Sequence, residues 1–437
     1  MIKRMSVSLT LLLVSIPFLI SAQQHYPLTI EQMFSLADQN SRAIRTYALA
    51  EREAEQAVRV ARNDRLPSLE LSASASYLGN GWIADRNFSN GMNAPMPHFG
   101  NNFAVEASQV VYAGGAISSS VAMAKLRYQL AQLDTERNRQ EIRLLLVGNY
   151  LELCKLNNQS RIFKKNIEQT RRLVEDIRAK HSEGLAIKND VTRYELQLQR
   201  LELALTQVEN SKVIINDQLV TTLGLDEQTF IVPDTCILEN LPGILAEQEW
   251  QMRAADNSPV IKQAQIGVKH SEYGVKLARS ERIPSFAVFA ADHLDGPVTI
   301  EVPPINKNFN YWYVGVGLKF NIASLYKSGK SIQRAKFAVE RASEQEKALR
   351  EHLHTEVKSA YVRFTESFTT CAMYEKSLEL ATDNYSVVEN RYLNDLALIT
   401  DMLDASNSKL GAELDVANAR INVLFNYYKL KKSAGNL

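Results

Sequence analysis

The 437 residues carry 50 Lys and Arg against 49 Asp and Glu, a formal charge of +1, so the basic excess of a nucleic-acid-binding protein is missing. With 45% hydrophobic and 23% charged residues, the composition is that of a folded chain and excludes general disorder. Cys154, Cys236 and Cys371 form no CxxC pair and cannot all pair with one another, which disfavours structural zinc and a disulfide framework.

The chain begins with Lys3 and Arg4, an apolar run from Val7 to Ile20, small Ser21 and Ala22, and then polar Gln23 and Gln24. This pattern predicts a cleaved secretory signal peptide over residues 1–22; the apolar run contains Pro17 and falls short of the roughly 20 residues of a membrane span. No cysteine follows the run to carry a lipid anchor at this site. Beyond residue 22 no stretch of 18 consecutive apolar residues remains, so a spanning helix is not predicted. Outer-membrane barrel strands show only as about ten residues of alternating polarity, a weaker signal that has to be sought deliberately.

The remaining sequence is written twice. Ala61-Arg62-Asn63-Asp64-Arg65-Leu66-Pro67-Ser68 matches Ala278-Arg279-Ser280-Glu281-Arg282-Ile283-Pro284-Ser285 at an offset of 217 residues, and the same offset pairs Asn40-Ser41 with Asn257-Ser258 and Ile44 with Ile261. A period this long predicts two similar halves, residues 23–230 and 231–437, rather than a solenoid of short repeats.

Each half opens on a helical segment and continues into strands. Leu69, Leu71, Ala73, Ala75 and Tyr77 interleave with Glu70, Ser72, Ser74 and Ser76, and Phe103, Val105 and Ala107 with Glu106 and Ser108. In the second half Phe286 and Val288 begin a strand, and Trp312, Val314, Val316, Leu318 and Phe320 interleave with Tyr311, Tyr313, Gly315, Gly317 and Lys319. Period-two alternation predicts one β-hairpin per half, 68–113 and 285–321, with one apolar and one polar face. The Gly, Asn and Pro content of residues 78–102 and 292–310 predicts long surface loops, and Tyr77, Phe103, Tyr112, Tyr311 and Trp312 stand near strand ends as an interfacial girdle requires.

Proline is absent between Pro97 and Pro233 and after Pro304, which predicts long helical hairpins over 116–222 and 326–432. In the second, Leu353, Val357, Ala360, Phe364, Ser367, Cys371, Tyr374, Leu378, Ala381, Tyr385, Val388 and Tyr392 follow alternating steps of four and three, the period of coiled-coil packing. In the first, Val191, Tyr194, Leu198, Leu201, Leu205, Val208, Lys212, Ile215, Leu219 and Thr222 keep the same steps, broken only by Lys212. A helix from Gly329 to Tyr392 is on the order of 95 Å long, beyond any compact domain. Four strands cannot close a barrel, and open edges are not tolerated in hydrocarbon, so a membrane role demands strands from several chains.

These features resemble the TolC family of outer-membrane efflux and secretion channels over essentially the whole mature chain. The resemblance rests on the duplicated order of helix, hairpin and long helical hairpin, on the Arg62–Pro67 and Arg279–Pro284 lead-ins to a strand, and on the strand-to-helix turn Ser108–Gly115, which lacks the proline common in the family. It rests too on the helical turns Gly184-Leu185-Ala186-Ile187-Lys188-Asn189-Asp190-Val191 and Asp395-Leu396-Ala397-Leu398-Ile399-Thr400-Asp401. The resemblance implies a mainly α fold with a transmembrane β part: a homotrimer, four strands per chain closing a 12-stranded barrel, and antiparallel coiled coils forming a periplasmic tunnel. By position, Asp401 and Asp404 match the aspartates lining the periplasmic constriction, and Asp190 with Tyr392 match a carboxylate–phenol latch between coils. Ala397 replaces the basic residue that supports that latch, and Asp395 stands where the family has glycine. Gly184, Leu185, Asp395 and Leu396 match the tips that meet a periplasmic membrane-fusion (adaptor) protein. The implied function is a passive exit duct in contact with outer-membrane lipid, energised by an inner-membrane exporter of RND or ABC type. The alternative is a non-conducting periplasmic coiled-coil protein linking envelope layers.

No catalytic motif stands against this reading. Ser328-Gly329-Lys330-Ser331 imitates the end of a phosphate loop, but residue 324 is Ser where the motif needs Gly. His352 and His354 lie two apart and point to different sides of a helix. Neither an enzyme activity nor a cofactor is predicted.

Overall fold

The computed structural model describes residues 24–238, 241–301, 304–394 and 396–437; the predicted signal peptide lies outside them. The strand β1 (Gln24–Leu28) leads into α1 (Ile30–Asn40) and α2 (Arg42–Asn63). β2 (Ser68–Tyr77), the short pair β3 (Gly81–Ile83) and β4 (Met92–Ala94), and β5 (Phe99–Ala113) follow. The 67-residue α3 (Ala116–Ser182) and α4 (Lys188–Leu223) complete the first half. The second half contains β6 (Thr229–Pro233), a 3-10 turn, α5 (Glu247–Asn257), α6 (Pro259–Ser280), β7 (Ser285–Gly296) and β8 (Phe309–Lys319). It ends in the 70-residue α7 (Ser324–Leu393) and α8 (Ile399–Ser433).

The duplication holds residue for residue at the start of each half. α1 and α5, α2 and α6, and the first residues of β2 and β7 are all 217 apart. Buried Ser41 and Ser258 break the first helix of each half in the same way, their backbones extended and their amides donating to Ala37 O and Ala254 O. The amides of Arg65 and Leu66 close the turn before β2 on Arg62 O and Asn63 O; Arg282 and Ile283 repeat it on Arg279 O and Ser280 O. The offset then falls to 208 at the start of α3 and α7, because the connection between β7 and β8 is shorter than that between β2 and β5.

Strands β2, β5, β7 and β8 form one antiparallel sheet in that order, so the two hairpins join through β5 and β7 and leave β2 and β8 as edges. β5 begins at Phe99 and β7 reaches Gly296, further into the predicted loops than composition suggested. At these ends Asn102 bonds Asp295 across the β5–β7 ladder, a polar pairing that reads as loop in sequence. One face carries Leu69, Leu71, Val105, Trp312, Val314 and Val316 with nothing over it; Leu69 is 77% and Leu71 78% exposed. The other carries Ser68, Glu70, Ser72, Ser74, Glu106 and Ser108. Tyr311 belongs to this polar face, opposite Trp312, and so leaves the predicted girdle. Among the described residues no helix is long and apolar enough to cross a membrane.

At the strand-to-helix turn, Gly114 has φ +60°, and a Cβ there would come within 2.7 Å of Ile283 Cβ and 2.9 Å of Ser280 O. Both backbone and space demand glycine, which is how the turn forms without proline.

The chain separates into two units. One comprises residues up to Ser41, Leu146–Leu241 and Thr370–Phe425. Here β1 pairs in parallel with β6, and buried Tyr150 ties them to α3: its hydroxyl donates to Leu28 O and accepts from the Asp234 amide, both at 2.7 Å. Buried Asn216 does the same for α4, donating to Thr229 O and accepting from the Ile231 amide at 2.8 Å. The other unit, Arg42–Leu145, Pro242–Thr369 and Asn426–Leu437, holds the four-stranded sheet. In it Thr135 donates to Tyr47 O, Gln263 to Asp134 and Arg282 to Ser328, binding α2 and α6 to the neighbouring long helices.

The heptad seam of α7 is inward-facing. Val357, Ala360, Phe364, Ser367, Cys371 and Tyr385 are buried and Leu353, Leu378, Ala381, Val388 and Tyr392 half-buried. Tyr374 departs from it, because it lines an open groove of about 630 Å³ beside Gly148, Leu151 and Asn418. The break at Lys212 is filled by charge: its ammonium meets Glu209 at 3.0 Å, and Glu209 also accepts from Ser160 at 2.6 Å and pairs with Lys164 at 3.1 Å. The Ser160 hydroxyl first, then the two ammonium groups, pull the Glu209 carboxyl down to about 2 from its ordinary 4.5 against the opposing effect of partial burial. A depressed carboxyl stabilises the fold in full above its unfolded pKa and loses that contribution as pH falls toward the folded one. The melting temperature of the wild type should therefore exceed that of Glu209→Gln by a near-constant margin from pH 7 down to about 5, and the margin should shrink through about pH 3 and close by about pH 1. A margin that stays open at that pH would show that the cluster does not act through ionised Glu209.

Candidate functional site at the helical turns

The turn between α3 and α4 follows from its sequence. Gly184 takes φ +76°, its amide donates to His181 O at 3.0 Å and the Leu185 amide to Lys180 O at 2.8 Å, the two bonds of a Schellman cap. The turn between α7 and α8 repeats the six-to-one bond: the Leu396 amide donates to Arg391 O at 2.8 Å. A basic side chain closes each turn as well, His181 Nδ1 lying 2.8 Å from Ala186 O and Arg391 Nη2 3.4 Å from Leu396 O. Leu185 and Leu396 stand exposed at these tips, with Ile187, Leu393 and Leu398 beside them. Asp395 lies outside the described residues.

Beneath the tips the four helix ends share a core. Val174, Ile177 and Tyr194 pack with Leu173, Ala186, Val191, Ile399 and Leu403. Leu173 continues into a second group of Tyr385, Met402 and Ala405, flanked by Val388 and Tyr392. Burial pushes the phenol of Tyr194 well above its ordinary range, and the neighbouring phenols of Tyr392 and Tyr385 oppose its ionisation further. Its hydroxyl reaches Ile399 O at 3.5 Å.

Asp190 and Asp401 occupy equivalent positions in the first turns of α4 and α8, where the helix dipole favours a carboxylate. Asp401 Oδ2 accepts the Leu398 amide at 3.1 Å, capping α8. Met402 and Ala405 turn into the core while Asp401 and Asp404, three residues apart on one stripe, remain exposed. Asp190 is half-buried beside Val191. Tyr392 lies at the same junction with the Lys180 ammonium 4.8 Å from its ring centre, and among the described residues no hydrogen bond joins it to Asp190. A second ammonium, Lys409, stands 4.2 Å from the Tyr385 ring. The two lysine–tyrosine contacts are not legible in the sequence, because each joins side chains of different helices, Lys180 with Tyr392 and Lys409 with Tyr385. The heptad steps did mark Tyr194 and Tyr385, as core positions.

This arrangement sets exposed carboxylates and exposed apolar tips on a shared aromatic core.

Comparison with known proteins accounts for most of the chain. The sequence profile described as outer membrane efflux protein matches residues 33–225 and 250–436. The outer membrane protein TolC of Escherichia coli K12 is 27% identical over 125 residues, 28% of this chain and 25% of that protein; its Salmonella enteritidis counterpart is 26% identical over a stretch of the same length. These matches span about a quarter of the relatives' length. Among solved structures, VceC of Vibrio cholerae shares the fold with TM-score 0.76 and 16% identity, covering 93% of this chain and 96% of that one. The CmeC channel of Campylobacter jejuni has TM-score 0.75, 15% identity and coverage of 93% and 85%.

The junction core gives a stability prediction. Met402 is 1% exposed, so Met402→Ala should cost about 2–5 kcal/mol. Gly184→Ala, with nothing within 4 Å of the new Cβ, should cost only about 1–2 kcal/mol for its left-handed backbone. Hydrogen exchange of the α8 amides reads both, and equal effects would contradict this placement of the core.

Proposed function

The chain belongs to the outer membrane efflux protein family, and on that footing we propose that it is the exit duct of a tripartite efflux or secretion system, a homotrimer that conducts cargo passively to the exterior. One observation carries this reading: a sheet with a bare apolar face and two unpaired edges, β2 and β8. Hydrocarbon accepts such a face only if every backbone group is satisfied. Pairing β8 of each chain with β2 of the next, three times over, closes a 12-stranded barrel with the apolar face outward and the serine and glutamate face toward water. A cleaved signal peptide delivers the chain, and the helical hairpins extend into the periplasm.

In the trimer, Asp401 and Asp404 of each chain ring the periplasmic constriction, where clustered carboxylates concentrate cations. Asp190 and Tyr392 latch neighbouring coils. Lys180, already against Tyr392, supplies the basic group that Ala397 lacks. Leu185 and Leu396 are the apolar knobs that an adaptor protein grips, together with Gly184 and Asp395 at the turns. Energy comes from an inner-membrane exporter of RND or ABC type, since the duct needs none of its own.

Single-channel recording in planar bilayers tests the reading. The wild type should give a small cation-selective conductance; Asp190→Ala with Tyr392→Phe should raise it several-fold, and Asp401→Ala with Asp404→Ala should abolish cation selectivity and block by multivalent cations. A detergent-independent chain that never conducts would replace the duct with a structural envelope-linking coiled coil.

A further inference from the structure

The water-facing side of the β7–β8 hairpin carries rings where a polar surface is expected. Tyr311 stacks on His293 with centroids 5.1 Å apart and planes 12° from parallel, and Tyr313 stacks on the same imidazole at 5.8 Å and 16°. Phe309 extends the line at 5.3 Å from Tyr311. At the other end Phe289 meets Tyr313 edge-on at 6.0 Å and lies over the backbone of Gly315, where a Cβ would approach its ring to 2.7 Å. Strand alternation and register put all five on the face that also bears Glu70 and Glu106. They form one continuous stripe from mid-strand to the loop end. Phe289, Phe309, Tyr311 and Tyr313 are each more than a third exposed, so mutual stacking leaves much ring surface open.

The stripe is bordered by acid. Asp295 accepts the Tyr311 hydroxyl at 3.2 Å, the His293 Nε2 lies 3.9 Å from Glu106, and Glu70 stands across the ladder from Glu106. Lys319, the basic residue that β8 contributes to this face, sits at the far end of the strand from Phe309. Open aromatic faces attract cations through the ring quadrupole and planar systems through stacking, and the adjoining carboxylates select for positive charge.

We propose that this stripe is a weak binding track for planar aromatic cations inside the outer half of the barrel. The inference rests on the duct reading, which makes this face the interior wall. Rings standing in line would let such a cation move from one face to the next without full rehydration, while anions of the same shape are turned away by Asp295, Glu106 and Glu70.

Block of single-channel current by ethidium added from the loop side tests it, with choline as a non-aromatic cation and naphthalene sulfonate as an aromatic anion. Ethidium should block at concentrations at which neither control does. Tyr311→Leu with Tyr313→Leu should raise the half-blocking concentration by roughly tenfold, Tyr311→Phe with Tyr313→Phe should retain block, and Glu106→Gln should weaken it several-fold. Each variant is scored against its own unblocked current. The phenylalanine pair separates lost stacking from lost folding. A conducting trimer that ethidium blocks no better than choline, or that the leucine pair blocks as well as the wild type, overturns the track alone. A chain that never conducts overturns the duct and the track with it.

Discussion

Everything in this chain answers to the condition of its four-stranded sheet. A sheet with one bare apolar face and two open edges is the least tolerable object a protein can leave unfinished, because each unpaired amide and carbonyl seeks another strand and the exposed leucines and valines seek cover. Among the described residues no helix lies over that face, and β3 and β4 pair only with each other. Completion has to come from outside, from lipid on the face and from other strands on the edges, and family membership agrees with that demand.

Coiled-coil packing then determines what the helices can do. A seam of period 3.5 gives each helix a narrow buried stripe and leaves the rest free for solvent and for neighbours. Seam positions are therefore mostly apolar, and the charge at Lys212 is met by Glu209, which Ser160 in turn holds with a hydrogen bond. At the turns the same logic produces the junction of Tyr194, Tyr385 and Met402, where four helix ends meet and the stripe widens into a small core. Exposed leucines at the tips and exposed aspartates one turn below sit on a rigid base rather than on a floppy loop.

Much of this was legible in the residues. The 217-residue offset in the octapeptides around Pro67 and Pro284 is the offset of α1 to α5 and α2 to α6, because short helices and their capping serines are encoded locally. Proline absence delimited the two long helical hairpins, and four-three spacing marked the seams of α4 and α7, for the same reason. What was not legible is what depends on distant pairing. Asn101, Asn102 and Asp295 look like loop residues until the β5–β7 ladder places them side by side. The face to which Tyr311 belongs needs register, since both it and Trp312 are aromatic and adjacent. The contact of Lys180 with Tyr392 joins the end of α3 to the end of α7, and no local pattern announces it.

The two halves are alike but no longer interchangeable. Counting from the helical turns, Asp190 corresponds to Asp401, but Arg193 takes the place of Asp404, and the strand hairpin of the second half is the shorter. In the proposed homotrimer, hairpins of two kinds would alternate, so six similar elements would be three-fold in their chemistry. One set of turns thus carries two negative charges while the other carries a mixed pair. In that trimer a substitution in one half would recur only at alternate hairpins, so one set of contacts could diversify while the intervening set stays constant.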